Sequence, residues 1–337
     1  MAILMYFLVS AVLVSPSLLY KELQLIESLN QANPAKATQR YKDIEGTLPS
    51  EPSKGLYALH RAALEAAMRS NNHDLIRDII LLFTEQTSWL EFLRTERAEL
   101  ANYLAIYYRR NQQMTHASDG YECALKHADS MQKPTIINNL AVHYRTSGKS
   151  QAAQQLLEQH LNKNYEKSVI TALSNNLANV HYDLGNYAQA STLYIEALQA
   201  YQAEKQTIEA SYVGLNLLNA LLIGGKIEAF ARYSNTVAEQ VKQSNNVEFN
   251  TVLKWQQQVF LKITANNAPS DTTLQQFTDS LPKLLKSEFA NNVELYVALL
   301  ALPKLQTQVS QYKKLTKNDS GKAIKPLKPI ALPWCQS

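Results

Sequence analysis

Hydrophobic positions through the central third of this chain fall at helical spacing, and they fall in nearly the same order three times. The first run contains Leu104, Ala105, Tyr108, Ala117, Tyr121, Ala124 and Leu125. The second contains Leu140, Ala141, Tyr144, Gly148, Ala153, Leu157 and Leu161. The third contains Leu177, Ala178, Tyr182, Gly185, Tyr187, Ala190, Tyr194, Ala197 and Leu198. The anchor leucines recur 36 and then 37 residues apart. Leu, then Ala, then an aromatic about one turn on make one helical face. Gly148 and Gly185 stand where that helix must end, a place suited to the left-handed conformation. A second stripe follows, with Ala, Tyr and Ala at i, i+4 and i+7 in the first and third runs. One such hairpin cannot bury both faces alone, so neighbours must stack.

Outward the pattern weakens but stays helical. Leu217, Leu221, Gly225 and Ile227 predict a fourth pair reaching about residue 243. Upstream, Leu64, Met68, Asn72 and Ile76 predict a divergent pair over 52–85. Two further helices are predicted over 18–31 and 35–44, with Pro34 in the first turn of the second. Residues 246–265 and 272–315 read as helices without the repeat, broken or kinked at Pro282 and Pro303.

The run NLANVHYDLGNYAQASTLYIEAL, inside 171–205, resembles the tetratricopeptide repeat family. Ser174 and Gln202 stand where the family usually has Trp and Pro, and the packing residues are kept. The resemblance is clearest over residues 96–205. It implies an all-α, right-handed α-solenoid of stacked antiparallel helix pairs, here with an N-terminal apolar segment. It also implies that the first helix of each pair builds an inner wall along which peptides lie. The expected organisation is a signal peptide or membrane anchor at 1–17, then divergent helical repeats at 18–95. Tetratricopeptide-like repeats follow at 96–243, capping helices at 244–315, and a basic extended tail at 316–337.

Composition agrees with a packed helical chain. Hydrophobic residues make up 46% and charged residues 18% of 337 residues, and glycine is scarce at 9. The net charge of +4 is too small and too dispersed to predict nucleic-acid binding. Residues 2–14 are apolar and uncharged, followed by Ser15-Pro16-Ser17, which suits a secretory signal cleaved after Ser17. No Lys or Arg precedes the run. A cleaved signal, an anchor attaching the chain to a membrane through residues 2–19, a packed first helix and a start placed too late all stay open. The first two would make the chain exported, periplasmic or membrane-anchored in a bacterium. Cys123 and Cys335 form no metal or redox motif, and their pairing in an oxidising compartment stays open. Trp334 and Cys335 are unusual at a terminus and are expected to dock on the last helices.

The predicted inner wall carries asparagines in register. Asn102, Asn138 and Asn175 share one position, Asn139, Asn176 and Asn216 the next, and Asn179 and Asn219 lie one turn on. An amide both donates and accepts, so such a ladder suits the backbone of an extended peptide. Arg109, Arg110 and Arg145 are placed to meet acidic groups, and Tyr182 and Tyr212 to anchor a partner. Tyr108, Tyr121, Tyr144 and Tyr194 read as core. The alternative for the asparagines is a set of caps and cross-links between helices. His143 and His181 read as core histidines, and no metal, cofactor or catalytic motif is present. The expected function is therefore a non-enzymatic scaffold binding another protein or peptide. The alternatives are a sensory or regulatory module acting through a partner, and an enzyme or enzyme subunit whose site has no motif.

Overall fold

The computed structural model describes residues 15–321 and 330–335, and among these it contains 17 α-helices, two short 3-10 turns and no strand. The signal-peptide or membrane-anchor reading covers residues 1–17, of which 1–14 lie outside the described residues. Ser15 caps α1 (Pro16–Ala32), and Leu19 and Ile26 bury its inner face. Among the described residues no helix is long and apolar enough to cross a membrane.

The chain forms two compact units. The first holds residues 15–128 together with 330–335. After α1 it contains α2 (Pro34–Glu45), α3 (Lys54–Ser70), α4 (His73–Glu85), α5 (Thr87–Phe92), α6 (Arg97–Arg110) and α7 (Met114–His127). Pro34 starts α2, and its missing N–H costs nothing there. Ala62, Ala63, Ala66 and Ala67 of α3 are buried, which lets neighbours approach closely. Gly120 of α7 does the same against α6: a Cβ there would stand 2.9 Å from the Ala105 Cβ.

The second unit holds residues 129–321. Three pairs carry the repeat: α8 (Lys133–Thr146) with α9 (Ser150–Leu161), α10 (Lys167–Asp183) with α11 (Tyr187–Ala203), and α12 (Thr207–Ile223) with α13 (Ile227–Gln243). They continue into α14 (Val247–Ala265), α15 (Asp271–Leu284), α16 (Ala290–Leu299) and α17 (Pro303–Gly321). Within this unit α8, α10, α12, α14 and α16 pack successively as one layer, with α9, α11, α13 and α15 beside them. Gly148, Gly185 and Gly225 turn the chain inside the pairs at φ of +74°, +78° and +67°. Only residues tolerant of that region hold these turns cheaply. Pro303 opens α17, and Pro282 sits in the last turn of α15.

Two boundaries differ from the sequence reading. The repeat segment 96–243 divides at residue 128, because α6 and α7 pack into the first unit. The expected extended tail is not extended where it is described. Residues 316–321 continue α17, and 330–335 dock on α6 and α7, not on the last helices. The reason is chemical. Cys335 is disulfide-bonded to Cys123 of α7, with Cα atoms 5.3 Å apart, and Leu332 and Trp334 are buried beside it.

Candidate functional site

The layer built by α8, α10, α12 and α14 in the second unit carries most of the asparagines, and they bond chiefly to one another and to tyrosines. Asn176 donates to the Asn138 Oδ1 at 2.7 Å, and Asn179 donates to the Asn176 Oδ1 at 3.2 Å. The Asn179 Oδ1 accepts from the Tyr194 hydroxyl at 2.7 Å and from Asn216 at 3.4 Å. A second network runs alongside. Asn219 donates to the Tyr182 hydroxyl and accepts from the Tyr296 hydroxyl, both at 2.8 Å. Gln256 of α14 donates to Tyr296 at 3.0 Å and to the Leu215 carbonyl at 2.8 Å.

This corrects the solvent-facing ladder. Asn179 and Asn219 are buried, and their amides are consumed inside the unit. Asn138, Asn176 and Asn216 are half-buried and bonded within the chain. Asn139 is half-buried and also engaged. Asn102 lies in the first unit, where it is buried and engaged. The physical reason is that packed helices leave polar groups between them, and a buried polar atom without a partner is costly. An amide satisfies a neighbour on either side, so it stitches successive helices where two apolar side chains would only touch.

Asn175 is the exception. It is half-buried, and its Oδ1 is enclosed with no hydrogen-bond partner. It stands at the wall of a hollow of about 270 Å³ lined also by Tyr201, Ile208, Glu209, Tyr212, Phe249 and Glu288. Five elements converge on it: α10, α11, α12, α14 and the turn before α16. Tyr212 packs against Phe249 and Phe289 at centroid distances of 6.3 and 5.7 Å. Its hydroxyl shares hydrogen bonds with Glu288 and Asn216, and burial, more than the Glu288 charge, pushes its pKa up to about 12. Burial also raises the Glu288 carboxyl above its ordinary range, and the Glu248 charge adds to the rise. The hydrogen bond from Tyr212 and the positive charge of Arg145 partly oppose it. Neither Glu209 nor Glu288 forms an ion pair among the described residues.

Arg145 of α8 bonds Asp183 at 3.3 Å, and its Nε is buried without a partner. Burial raises the Asp183 carboxyl while Arg145 holds it back. Tyr182 is spent on Asn219, and burial pushes it up to about 12 as well. Arg109 and Arg110 lie in the first unit. Burial lowers the Arg110 pKa, and the neighbouring charges of Arg109 and Arg69 lower it further. Tyr108, Tyr121 and Tyr194 are buried, and Tyr144 is half-buried. Among the described residues no group of three or more His, Cys, Asp or Glu side chains is placed to hold a metal ion. Glu288, Tyr201, Ile208 and Phe249 were missed by sequence reasoning, since none belongs to the repeat's recurring positions.

Residues 172–204, which form α10 and α11, match the tetratricopeptide repeat family profile. That segment is a tetratricopeptide repeat. No curated protein sequence matches the chain. Among solved structures, this repeat protein is similar in fold to a Rap protein complexed with Competence and Sporulation Factor. That match has 14% identity and a TM-score of 0.66, and it covers 91% of this chain and 87% of the other. The apo form of RapI aligns at 16% identity and TM-score 0.58, covering 92% and 87%. The apo form of the quorum sensor NprR from B. thuringiensis aligns at 15% and 0.58, covering 90% and 87%. At these identities the tetratricopeptide-repeat fold is what is shared.

Proposed function

We propose that this chain is an interaction protein that takes an extended peptide, or an exposed segment of a partner, in the hollow between Asn175, Tyr212 and Glu288. The observation that carries this reading is the enclosed, unpartnered Asn175 Oδ1 at the wall of an aromatic hollow whose two carboxylates form no ion pair among the described residues. The Asn175 oxygen accepts a backbone N–H. Glu288 and Glu209 take a basic side chain or a free amino terminus, whose methylenes lie on Tyr201, Ile208 and Phe249. Arg145, with a spare Nε near the same charges, is placed for a carbonyl or carboxylate further along. Similarity to a Rap protein solved with a bound factor, and to a quorum sensor, supports peptide recognition and favours a regulatory role over a passive scaffold.

We propose further that the protein works outside the reducing cytosol, exported, periplasmic or membrane-anchored if the chain is bacterial. The apolar run at residues 2–14 and the Cys123–Cys335 disulfide support that placement.

Selection of a displayed random-peptide library on the immobilised full-length chain tests the peptide reading. Enriched sequences should share a basic residue, and Glu288→Gln should remove that preference. Enrichment unchanged by both Glu288→Gln and Tyr212→Ala would contradict it.

A further inference from the structure

The C-terminal segment is held on the first unit in the way a bound peptide is held. The Tyr108 hydroxyl accepts from the Ile330 N–H at 2.7 Å and donates to the Ile330 carbonyl at 3.4 Å, so one phenol reads both backbone groups of one residue. His127 Nε2 lies 3.1 Å from the Trp334 carbonyl, an arrangement in which the ring N–H donates. Leu332 and Trp334 are buried at 4% and 5% exposure, and the Arg97 guanidinium lies 5.6 Å from the Trp334 ring centroid. On the side of α4 the segment does not fill its seat. A hollow of about 280 Å³ separates Arg77, Leu81, Thr84 and Glu85 from Ile330, Ala331 and Pro333. Besides the main chain itself, the Cys123–Cys335 disulfide ties the segment down across 212 residues of chain.

We propose that this surface of α6 and α7 is a peptide-binding groove whose resident ligand is the chain's own residues 330–335, latched by the disulfide. The groove fits a segment with an aliphatic residue two positions before a tryptophan that sits in a tight 3-10 turn, as Trp334 does within Pro333–Cys335. Backbone pairing sits at one end, at Tyr108, and the aromatic anchor at the other, beside Arg97 and His127. Bonded, the latch keeps the segment at so high an effective concentration that no free peptide competes. Unlatching is a two-electron thiol–disulfide exchange with a dithiol. One thiolate of the reductant attacks the half-buried Cys335 sulfur, and the Cys123 thiolate leaves and takes a proton. The reductant's second thiol then resolves the mixed disulfide. The chain ends with two thiols and the reductant with its own disulfide. The groove then exchanges its occupant, so the redox state sets whether the first unit accepts an outside segment.

The test uses the full-length chain and a fluorescent synthetic peptide of sequence IALPWS, which copies 330–335 with serine in place of the cysteine. The oxidised protein should bind it at least ten-fold more weakly than the protein reduced with dithiothreitol. A Trp334→Ala, Cys335→Ser variant, whose own segment has lost its anchors, should bind most tightly. Tyr108→Phe in that background should weaken binding. Hydrogen exchange at 330–335 should speed up on reduction while α6 and α7 stay protected. Equal binding to oxidised and reduced protein would overturn the proposal. So would failure of the folded double variant to bind, or unchanged exchange at 330–335.

Discussion

Asn176 reaches across one repeat to donate its amide to Asn138 at 2.7 Å, so the same residue type at adjacent repeat positions joins α8 and α10. That bond opens a chain through Asn179 to the buried Tyr194 hydroxyl. The asparagines are therefore a property of the stack before they are a property of any binding face.

Asn179→Ala should destabilise the second unit by about 1–3 kcal/mol, because it strands the Tyr194 hydroxyl and removes partners of Asn176 and Asn216. Urea unfolding followed by circular dichroism measures this. Asn175→Ala, which removes an amide oxygen with no partner, should cost far less.

Gly214 touches Val237, since a Cβ there would stand 2.9 Å from a Val237 methyl. Gly214→Ala should cost about 1–3 kcal/mol through overpacking. Val237→Ala in the same chain should recover part of that cost, so the double variant is more stable than the two single losses summed. A denaturant-based double-mutant cycle reads the coupling.

Loss of the disulfide should lower stability by about 2–4 kcal/mol, since the bond restricts the unfolded chain across 212 residues. Cys123→Ser and Cys335→Ser should give the same loss of unfolding midpoint, and reduction of the parent should match them.

Glu288 gives a pH dependence of defined sign. Burial raises its folded pKa, so the folded chain holds that proton more tightly than the unfolded chain. Its contribution to stability is then present at low pH and is lost as pH rises through the raised value. Binding of a basic peptide runs the other way, because it needs the carboxylate. Affinity should weaken on acidification above the ordinary carboxylate pKa, and Glu288→Gln should flatten the profile. Titration calorimetry with a library-selected peptide across that range checks both.

The helix pairs were legible in the sequence because Leu177, Ala178, Tyr194 and Ala197 obey one period, and burial of that stripe is what folds a hairpin. The left-handed turns at Gly148 and Gly185 were legible for the same local reason, and Gly225 repeats them. For Asn179 the sequence left a binding face and a cross-link between helices both open, and the structure shows the cross-link. A polar residue one turn from the wall faces solvent or a neighbour depending on helix tilt, which periodicity does not encode. Glu288 carried no signal at all, since it enters the hollow from a turn outside the repeat. The destination of Cys335 depends on the path of the whole chain: pairing with Cys123 stood open in the sequence, but nothing near residue 335 announced Tyr108.

The most direct test of the central claim places a photocrosslinking phenylalanine derivative at Ile208, on the exposed rim of the hollow, in the full-length protein in its own cells. The account predicts adducts confined to one short segment of a partner or a peptide. These should vanish when Tyr212→Ala and Glu288→Gln are added, and should not form from Glu196 on the outer face of α11. The same adducts from both positions, or adducts indifferent to Tyr212 and Glu288, would contradict it.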